Sequence, residues 1–249
     1  MNDHASTHAP RVGAGFSALC IAVSAAWPGA SLAQDTLLEE ITVTAQKREQ
    51  SELEVPMTLD VFSAKDIEET GALNLIDMQD FIPGFEMGSN PTQASITIRG
   101  VSSVNISTGG DPSVATFYDE IYVPRAATTA SFTDLQRVEV LKGPQGTLYG
   151  RNAAAGVVSM VPNRPAAEDT GFIRNRVGNY GLFRAELMGN AAISENFFVR
   201  ANLLSNRRDG YLSNSVPGGT DPGKQNNIAA RISALWQISD RTDLQVSYD

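Results

Sequence analysis

The feature that most constrains this chain is a two-residue alternation of apolar and polar side chains through its last third. In the clearest run, residues 228–238, Ile228, Ile232 and Trp236 share one parity, while Arg231 lies on the other. Because successive side chains of a strand point to opposite faces, such a run predicts a β-strand with one apolar and one polar face. Similar runs occupy residues 172–179, 183–191, 197–203 and 244–248. The block therefore predicts about five strands.

Long strands with two unlike faces favour a transmembrane β-barrel, in which apolar residues face lipid and polar residues face the lumen. A soluble β-sandwich is the alternative, but its polar parity would face water. The connections favour the barrel: residues 194–196 and 240–242 are short turns, whereas residues 207–226 form a long loop rich in Gly, Asn, Ser and Pro. Outer-membrane barrels have short periplasmic turns and longer outer loops, so we expect the long loop outside.

The predicted barrel is incomplete. The smallest types use about eight strands, and a barrel wide enough to hold a folded domain needs about 22. Residues 166–249 supply only the first few strands, and the chain stops at Tyr248 and Asp249. The sequence is therefore expected to be truncated.

The first 33 residues resemble a secretory signal peptide. Arg11 gives a positive start, the stretch 13–26 is apolar, and residues 31–33 (Ser-Leu-Ala) offer the small side chains that signal peptidase needs. Cleavage before Gln34 is expected. A membrane anchor is the alternative, but the apolar stretch is short for a span, and Leu19 is too large for a lipoprotein site at Cys20.

Composition excludes several classes of function. His4, His8 and Cys20 are the only histidines and cysteine, and all lie in the predicted signal. The mature chain would then lack a Cys or His nucleophile system, a Cys/His zinc site and disulfides. The net charge of −9 argues against nucleic-acid binding. We expect no catalytic residues, no enzyme activity, no metal and no cofactor.

The middle of the chain predicts a small α+β domain over residues 55–165, following a polar tail over residues 34–54. The pattern favours strands near residues 57–61, 95–99, 137–141 and 156–161, and two short strands around a turn at Asp119 and Glu120 within residues 114–123. Ser63 and Asp66 form a capping box before a helix over about 64–70, and Gly71 suits its end. Asn74 can cap a second helix extending to about Phe81. Helices and short strands mix without βαβ regularity, as in α+β folds.

Three segments together resemble the TonB-dependent outer-membrane receptor family. Residues 40–45 (EITVTA) resemble the TonB box, and residues 98–100 (IRG) resemble a plug motif. The longest match is residues 137–150 (RVEVLKGPQGTLYG), continuing through residues 152–158 (NAAAGVV). The resemblance extends from about residue 40 to the end. It implies a plug domain over residues 55–165 inside the barrel, whose strands begin after residue 166.

The resemblance assigns the segment Glu40, Ile41, Thr42, Val43, Thr44 and Ala45 to TonB binding. A β-prone strand near the mature N-terminus can add to the edge of a partner's sheet through main-chain hydrogen bonds. The implied partner is TonB with its inner-membrane energy-transducing complex. Taken alone, the segment would read as an unpaired, mobile tail that happens to contain β-formers.

Three plug residues are candidates for locking plug to barrel: Arg99, Lys142 and Glu139. In the family, arginines at the positions that match Arg99 and Lys142 pair with barrel carboxylates. Lys142 stands where arginine is usual and keeps the charge but loses bidentate geometry. The expected carboxylate partners would come from later strands.

The implied function is active transport of a scarce ligand across the Gram-negative outer membrane, most commonly a ferric siderophore in this family. Cobalamin, haem and oligosaccharides remain open. Other possibilities are a signal-transducing receptor, which would need a further folded domain before the box, an outer-membrane enzyme, or a truncated fragment without transport. Loops at residues 101–112 and 124–131 are candidates for facing the ligand. Outer-membrane lipid and an iron chelate are further expected partners.

Overall fold

The structure is a computed structural model that describes residues 42–44, 47, 50–51, 55–89, 93–103, 105, 107, 109–131, 133–216, 219 and 221–249. The predicted signal peptide lies outside these residues. Elements that precede the wall strands are β1 (Thr42–Val43), β2 (Gln50–Ser51), β3 (Thr58–Ser63), α1 (Ala64–Thr70), α2 (Leu75–Met78), β4 (Phe85–Ser89), β5 (Ala94–Ile98), β6 (Val114–Tyr118), β7 (Ile121–Val123), a 3₁₀ turn (Arg125–Ala127), β8 (Leu135–Lys142), α3 (Gly146–Tyr149) and β9 (Gly156–Pro162).

A five-stranded mixed sheet organises the first domain in the order β3-β8-β9-β6-β7. Strand β8 lies between β3 and β9 and pairs antiparallel with both, while β6 and β9 run parallel. β8 and β9 are buried along nearly their whole length because both of their faces are covered. One cluster, including Val138 and Val140, packs against α1 and α2, and a second, including Leu141 and Val157, covers the other face.

A second sheet forms a wall of five antiparallel strands in sequential order: β10 (Thr170–Gly178), β11 (Leu182–Ser194), β12 (Phe197–Arg208), β13 (Gln225–Ser239) and β14 (Thr242–Tyr248). Its apolar parity is exposed, as at Ile228 (76%), whereas Arg231 and Asn206 on the other parity are buried (3% and 1%). This distribution confirms the apolar-out, polar-in pattern and is the reverse of a soluble sandwich. In the described chain the sheet is not closed, because β10 and β14 are edges.

Most local predictions in the first domain are confirmed. Ser63 and Asp66 form the capping box of α1, and Gly71 ends it in the left-handed region at φ 70°. The predicted turn at Asp119 and Glu120 joins β6 to β7 with φ of 50° and 64°. Positive φ at both central residues is the type I′ geometry that fits strand twist, adopted here without glycine.

Three local predictions were wrong or incomplete. The helix capped by Asn74 ends at Met78 rather than near Phe81. Strand β4 and helix α3 were not predicted, because each is short and lacks a periodic pattern. The tail is not wholly unpaired, since Thr42–Val43 pairs antiparallel with Gln50–Ser51. No helix in the described residues is long and apolar enough to cross a membrane.

Candidate coupling and plug-seating sites

The described part of the predicted TonB box, Thr42 to Thr44, is docked on the first domain. Val43 is fully buried and packs in the cluster that contains Leu141, Phe117 and Val157. Taken alone, the sequence of this segment indicates a mobile tail; it is docked here because its apolar partners come from strands β6, β8 and β9. Glu40, Ile41 and Ala45 lie outside the described residues.

A buried ion pair holds the backbone of the docked segment. The backbone N–H of Thr44 donates to Oε1 of Glu139 at 2.8 Å, and its hydroxyl donates to the same oxygen at 3.2 Å. Arg137 Nε donates to that oxygen at 2.7 Å, and its Nη2 donates to the Thr44 hydroxyl at 3.3 Å. The Glu139 side chain is 0% exposed, so its charge depends on these donors. We call Thr44, Arg137 and Glu139 the box latch.

Tyr149 on α3 adds a weaker contact to the same segment. Burial, with the nearby carboxylates of Glu139 and Glu120, raises the pKa of Tyr149 to about 12. The hydroxyl therefore stays protonated at neutral pH and donates to the Thr44 carbonyl oxygen at 3.4 Å. Lys47 lies over the ring with its Nζ 5.5 Å from the centroid. The segment is thus held by apolar burial, a charged latch and one long hydrogen bond.

The three lock candidates occupy unlike environments. Lys142 is buried and pairs with Asp60 of β3 inside the same domain, and its Nζ donates to the Pro83 carbonyl oxygen at 2.7 Å. Glu139 belongs to the box latch. Lys142 and Glu139 therefore have partners within the plug, whereas the resemblance implied a carboxylate from a later barrel strand as the partner of Lys142.

Arg99 is an exposed residue in the tight turn between β5 and Val101. Arg99 and Gly100 have φ of 52° and 78°, and the backbone N–H of Arg99 donates to the Gly84 carbonyl oxygen at 2.7 Å. Within the described residues, no ion pair involves the Arg99 side chain. The turn thus fixes the backbone of Arg99 and leaves its guanidinium available.

Sequence reasoning missed the ion pairs that join the first domain to the wall. Arg200 of β12 makes a two-point contact with Asp134, Nε to Oδ2 at 2.5 Å and Nη2 to Oδ1 at 2.6 Å. Arg231 of β13 pairs with Asp119. The acids belong to the first domain and the arginines to the wall, the opposite polarity to the predicted lock. The alternation alone could have shown that both arginines face inward, but not which acids they meet.

Polar side chains extend this contact into a seam along the wall. Thr133 donates to Asn202, and Asn227 donates to Ser131 at 2.9 Å. Asn163 also donates to Asp134 at 2.9 Å, which orients the carboxylate toward the wall. We call Asp134–Arg200 and these flanking hydrogen bonds the seating seam.

The two predicted ligand-facing loops are tied together by Arg125. Its side chain is buried, with Nε donating to Ala94 O at 3.1 Å and Nη1 donating to Asn105 O at 2.6 Å. A longer bond of 3.4 Å reaches Gly110 O. One buried guanidinium thus contacts three carbonyls, one on β5 and two in the loop at residues 101–112, which gives both loops a common anchor.

Comparison with known proteins agrees with this architecture. Residues 51–157 match the family model described as the TonB-dependent Receptor Plug Domain. The pesticin receptor of Yersinia enterocolitica is 30% identical over 194 residues, covering 76% of this chain and 28% of the relative. The catecholate siderophore receptor Fiu of Escherichia coli is 27% identical over 253 residues, covering 94% of this chain and 31% of that receptor.

A solved structure gives the same result. The ferric yersiniabactin uptake receptor FyuA from Yersinia pestis superposes with a TM-score of 0.70 at 25% identity, covering 77% of this chain and 30% of that chain. The chain thus spans about 28% of the length of the first curated relatives that it matches. With an α+β plug and a wall of apolar-out strands, the chain belongs to the TonB-dependent receptor family.

Proposed function

We propose that this chain provides the plug and part of the barrel wall of a transporter that moves a scarce ligand across the outer membrane with energy delivered by TonB. The observation that supports this most directly is the docked segment Thr42–Thr44. It is a short β-strand whose apolar side chain and backbone both contact the plug strand β8. A strand at this position can be captured by the edge of a partner's sheet.

Force on the box would reach the plug through β8. Glu139 and Arg137 hold Thr44 at one part of this strand, and Lys142 at its end contacts the Pro83 carbonyl oxygen and Asp60. A TonB domain that captures residues 40–45 would have to break the box latch first. The seating seam, with its two-point ion pair, would keep the rest of the plug against the wall during that first step.

The domain boundaries belong to the same proposal. Residues 1–33 would be the signal peptide, 34–54 the periplasmic tail with the box, 55–165 the plug and 166–249 barrel strands. The plug would sit in the lumen, with the box facing the periplasm. Arg99, exposed at its turn, is proposed to find a carboxylate elsewhere in the barrel. The short turns of the wall would be periplasmic and the long loop external.

The proposed ligand is a ferric siderophore. Two similar proteins support this choice, one a catecholate siderophore receptor and the other a ferric yersiniabactin uptake receptor. Residues 101–112 and 124–131, joined by Arg125, are the proposed plug loops that face it.

The test is ligand uptake by the complete receptor in a receptor-deficient strain. Radiolabelled iron loaded on catecholate, hydroxamate and thiazoline siderophores would be compared with cobalamin, haem and oligosaccharides. The variant Val43→Pro removes a strand N–H from the box and should abolish uptake while surface binding remains. Val43→Ile is the matched control and should retain uptake. Uptake that survives Val43→Pro, or that is independent of TonB, would contradict the proposal.

A further inference from the structure

A cavity of about 150 Å³ lies between the plug helix α1 and the wall strands β10, β11 and β12. On this measure about 10–15 Å³ is enough for one water molecule, so the cavity can hold a small polyatomic ion. Its walls are strongly charged. The charged lining residues are Arg174, Arg176, Arg184, Arg200, Glu68, Asp134 and Glu186.

The charges of this cavity do not balance. Asp134 and Arg200 neutralise each other in their two-point contact. Among the described residues that line the cavity, the three remaining arginines are matched by two carboxylates, Glu68 and Glu186, which leaves an excess of one positive charge. A partly enclosed site with excess positive charge favours an anion, because low-dielectric walls strengthen the attraction.

The distances show that Glu68 and Glu186 are close to Arg174 but leave Arg184 without a carboxylate in hydrogen-bond range. Arg174 uses one side of its guanidinium on Glu68 at 2.8 Å and reaches Glu186 at 3.4 Å. Arg184 reaches the same oxygen of Glu186 only at 3.8 Å, outside hydrogen-bond range. Donors on Arg184 are therefore available to a further acceptor.

The cross-strand register creates a second reason for an anion. Arg176 and Arg184 are directly opposite each other in the β10–β11 ladder, and like charges in this relation are destabilising. Among the described residues, Arg176 has neither a hydrogen bond nor an ion pair. Its guanidinium lies near the end of α1, with Nη1 3.2 Å from the position that a Cβ on Gly71 would occupy. An oxygen-bearing anion between the two guanidinium groups would remove the repulsion.

We propose that this cavity binds one oxyanion group, a phosphate or a carboxylate, held by Arg176 and Arg184 with Arg174 alongside. Planar guanidinium groups suit such ligands because they donate paired hydrogen bonds. The anion joins the wall to the end of α1, so it fastens the plug beside the seating seam, whose Asp134 and Arg200 line the same cavity. The group can come from a free inorganic ion or from an acidic ligand passing the wall. The site is independent of the proposed transport activity.

The test is calorimetric titration of the complete receptor in detergent with inorganic phosphate and, separately, with citrate, both at constant ionic strength set by chloride. Saturable binding of either anion is expected. Arg176→Gln and Arg184→Gln should each weaken it roughly tenfold or more, the loss of a charge-assisted contact. Arg164→Gln is the matched control, because Arg164 is an exposed arginine that pairs with Gln245 and Asp243 outside the cavity.

The outcomes separate the sources of the anion. Phosphate binding without citrate binding identifies a free inorganic ion, and citrate binding identifies a carboxylate-bearing ligand. If neither anion binds saturably, or if Arg176→Gln binds as well as the wild type, the proposal is overturned. Arg184→Lys keeps the charge and should bind better than Arg184→Gln, which separates lost anion binding from lost folding. Because the measurement is binding, its result stands whether or not the receptor transports iron.

Discussion

At the scale of single residues, two ion pairs have different roles. The pair of Arg137 and Glu139 is fully buried and also holds Thr44, so it links the box to the plug core. The pair of Asp134 and Arg200 joins plug to wall with two short hydrogen bonds. Removing one partner of a buried pair leaves an uncompensated charge, which costs more than the pair itself contributes. Substitution of either ion pair is therefore expected to have a specific, measurable effect.

Glu139→Gln should free the box. The substitution removes the charge that Thr44 and Arg137 share, and hydrogen bonds to charged groups contribute roughly 1.5–3 kcal/mol. With Val43→Cys as a buried reporter, maleimide labelling of the complete receptor should become about tenfold faster or more. Cys20 is the chain's other cysteine and lies in the predicted signal, so the background from this chain is low.

Two controls accompany that measurement. Tyr149→Phe removes the 3.4 Å bond to Thr44 and leaves the charged latch in place, so it should accelerate labelling less than Glu139→Gln. Glu86→Gln, on β4 outside the latch, should leave the rate unchanged. Equal rates for Glu139→Gln and the parent protein would show that the latch does not hold the box.

Asp134→Asn or Arg200→Gln should destabilise the contact between plug and wall by roughly 3–5 kcal/mol, since each substitution leaves the partner side chain charged and enclosed. The double variant should lose less stability than the two single variants lose in total. Hydrogen exchange of β8 amides in the complete receptor measures this loss. Arg151→Gln is the control: its pair with Asp111 is exposed (82% and 53%), so its effect should stay below about 1 kcal/mol. Additive losses at Asp134 and Arg200 would rule out direct coupling.

At the scale of elements, the wall strands follow a simple rule and the plug strands do not. β13 presents Ile228, Ile232 and Trp236 outward, while Arg231 and Ser233 are buried on the plug side. β8 is buried along almost its whole length, so it carries charged residues, such as Glu139, only where partners meet them. The two faces of the wall strands could be predicted from the alternation. The roles of the polar residues in β8 could be assigned only once their partners were known.

Ile232→Arg tests the outward face of β13. Ile232 lies near the middle of the strand and is 52% exposed. An arginine facing the middle of a bilayer destabilises a barrel by roughly 2–4 kcal/mol. The folded fraction of the complete receptor in lipid vesicles, measured by heat-dependent gel mobility, should fall. Ile232→Leu should fold like the wild type. Unchanged folding of Ile232→Arg would show that this face does not contact lipid.

At the scale of the whole molecule, plug and wall are joined by contacts between residues far apart in the chain. Thr133 meets Asn202 across a sequence separation of 69 residues, and Ser131 meets Asn227 across a separation of 96. These contacts fix how the plug is turned relative to the wall. They also leave the docked box on a part of the plug that is held by its own, separate latch.

This arrangement predicts a specific cross-link. Thr133→Cys with Asn202→Cys should be joined by a short bis-maleimide in intact outer membranes, because the two native side chains are in hydrogen-bond contact. Mass spectrometry of tryptic peptides would detect the linked product. Leu59→Cys with Asn202→Cys is the control, since Leu59 packs against the cluster that contains Val43 of the box. A control that links as readily would contradict the orientation of the plug.

The sequence by itself determined the elements that depend on neighbouring residues. The capping box of Ser63 and Asp66, the turn at Asp119 and the alternation in β13 each follow from local geometry, so they were predicted correctly. The motif at residues 137–150 also indicated the family. Only the tertiary structure revealed that Thr44 binds Glu139 and that Arg200 binds Asp134. Such contacts depend on which strands become neighbours, and side-chain periodicity along one strand carries no information about its partner.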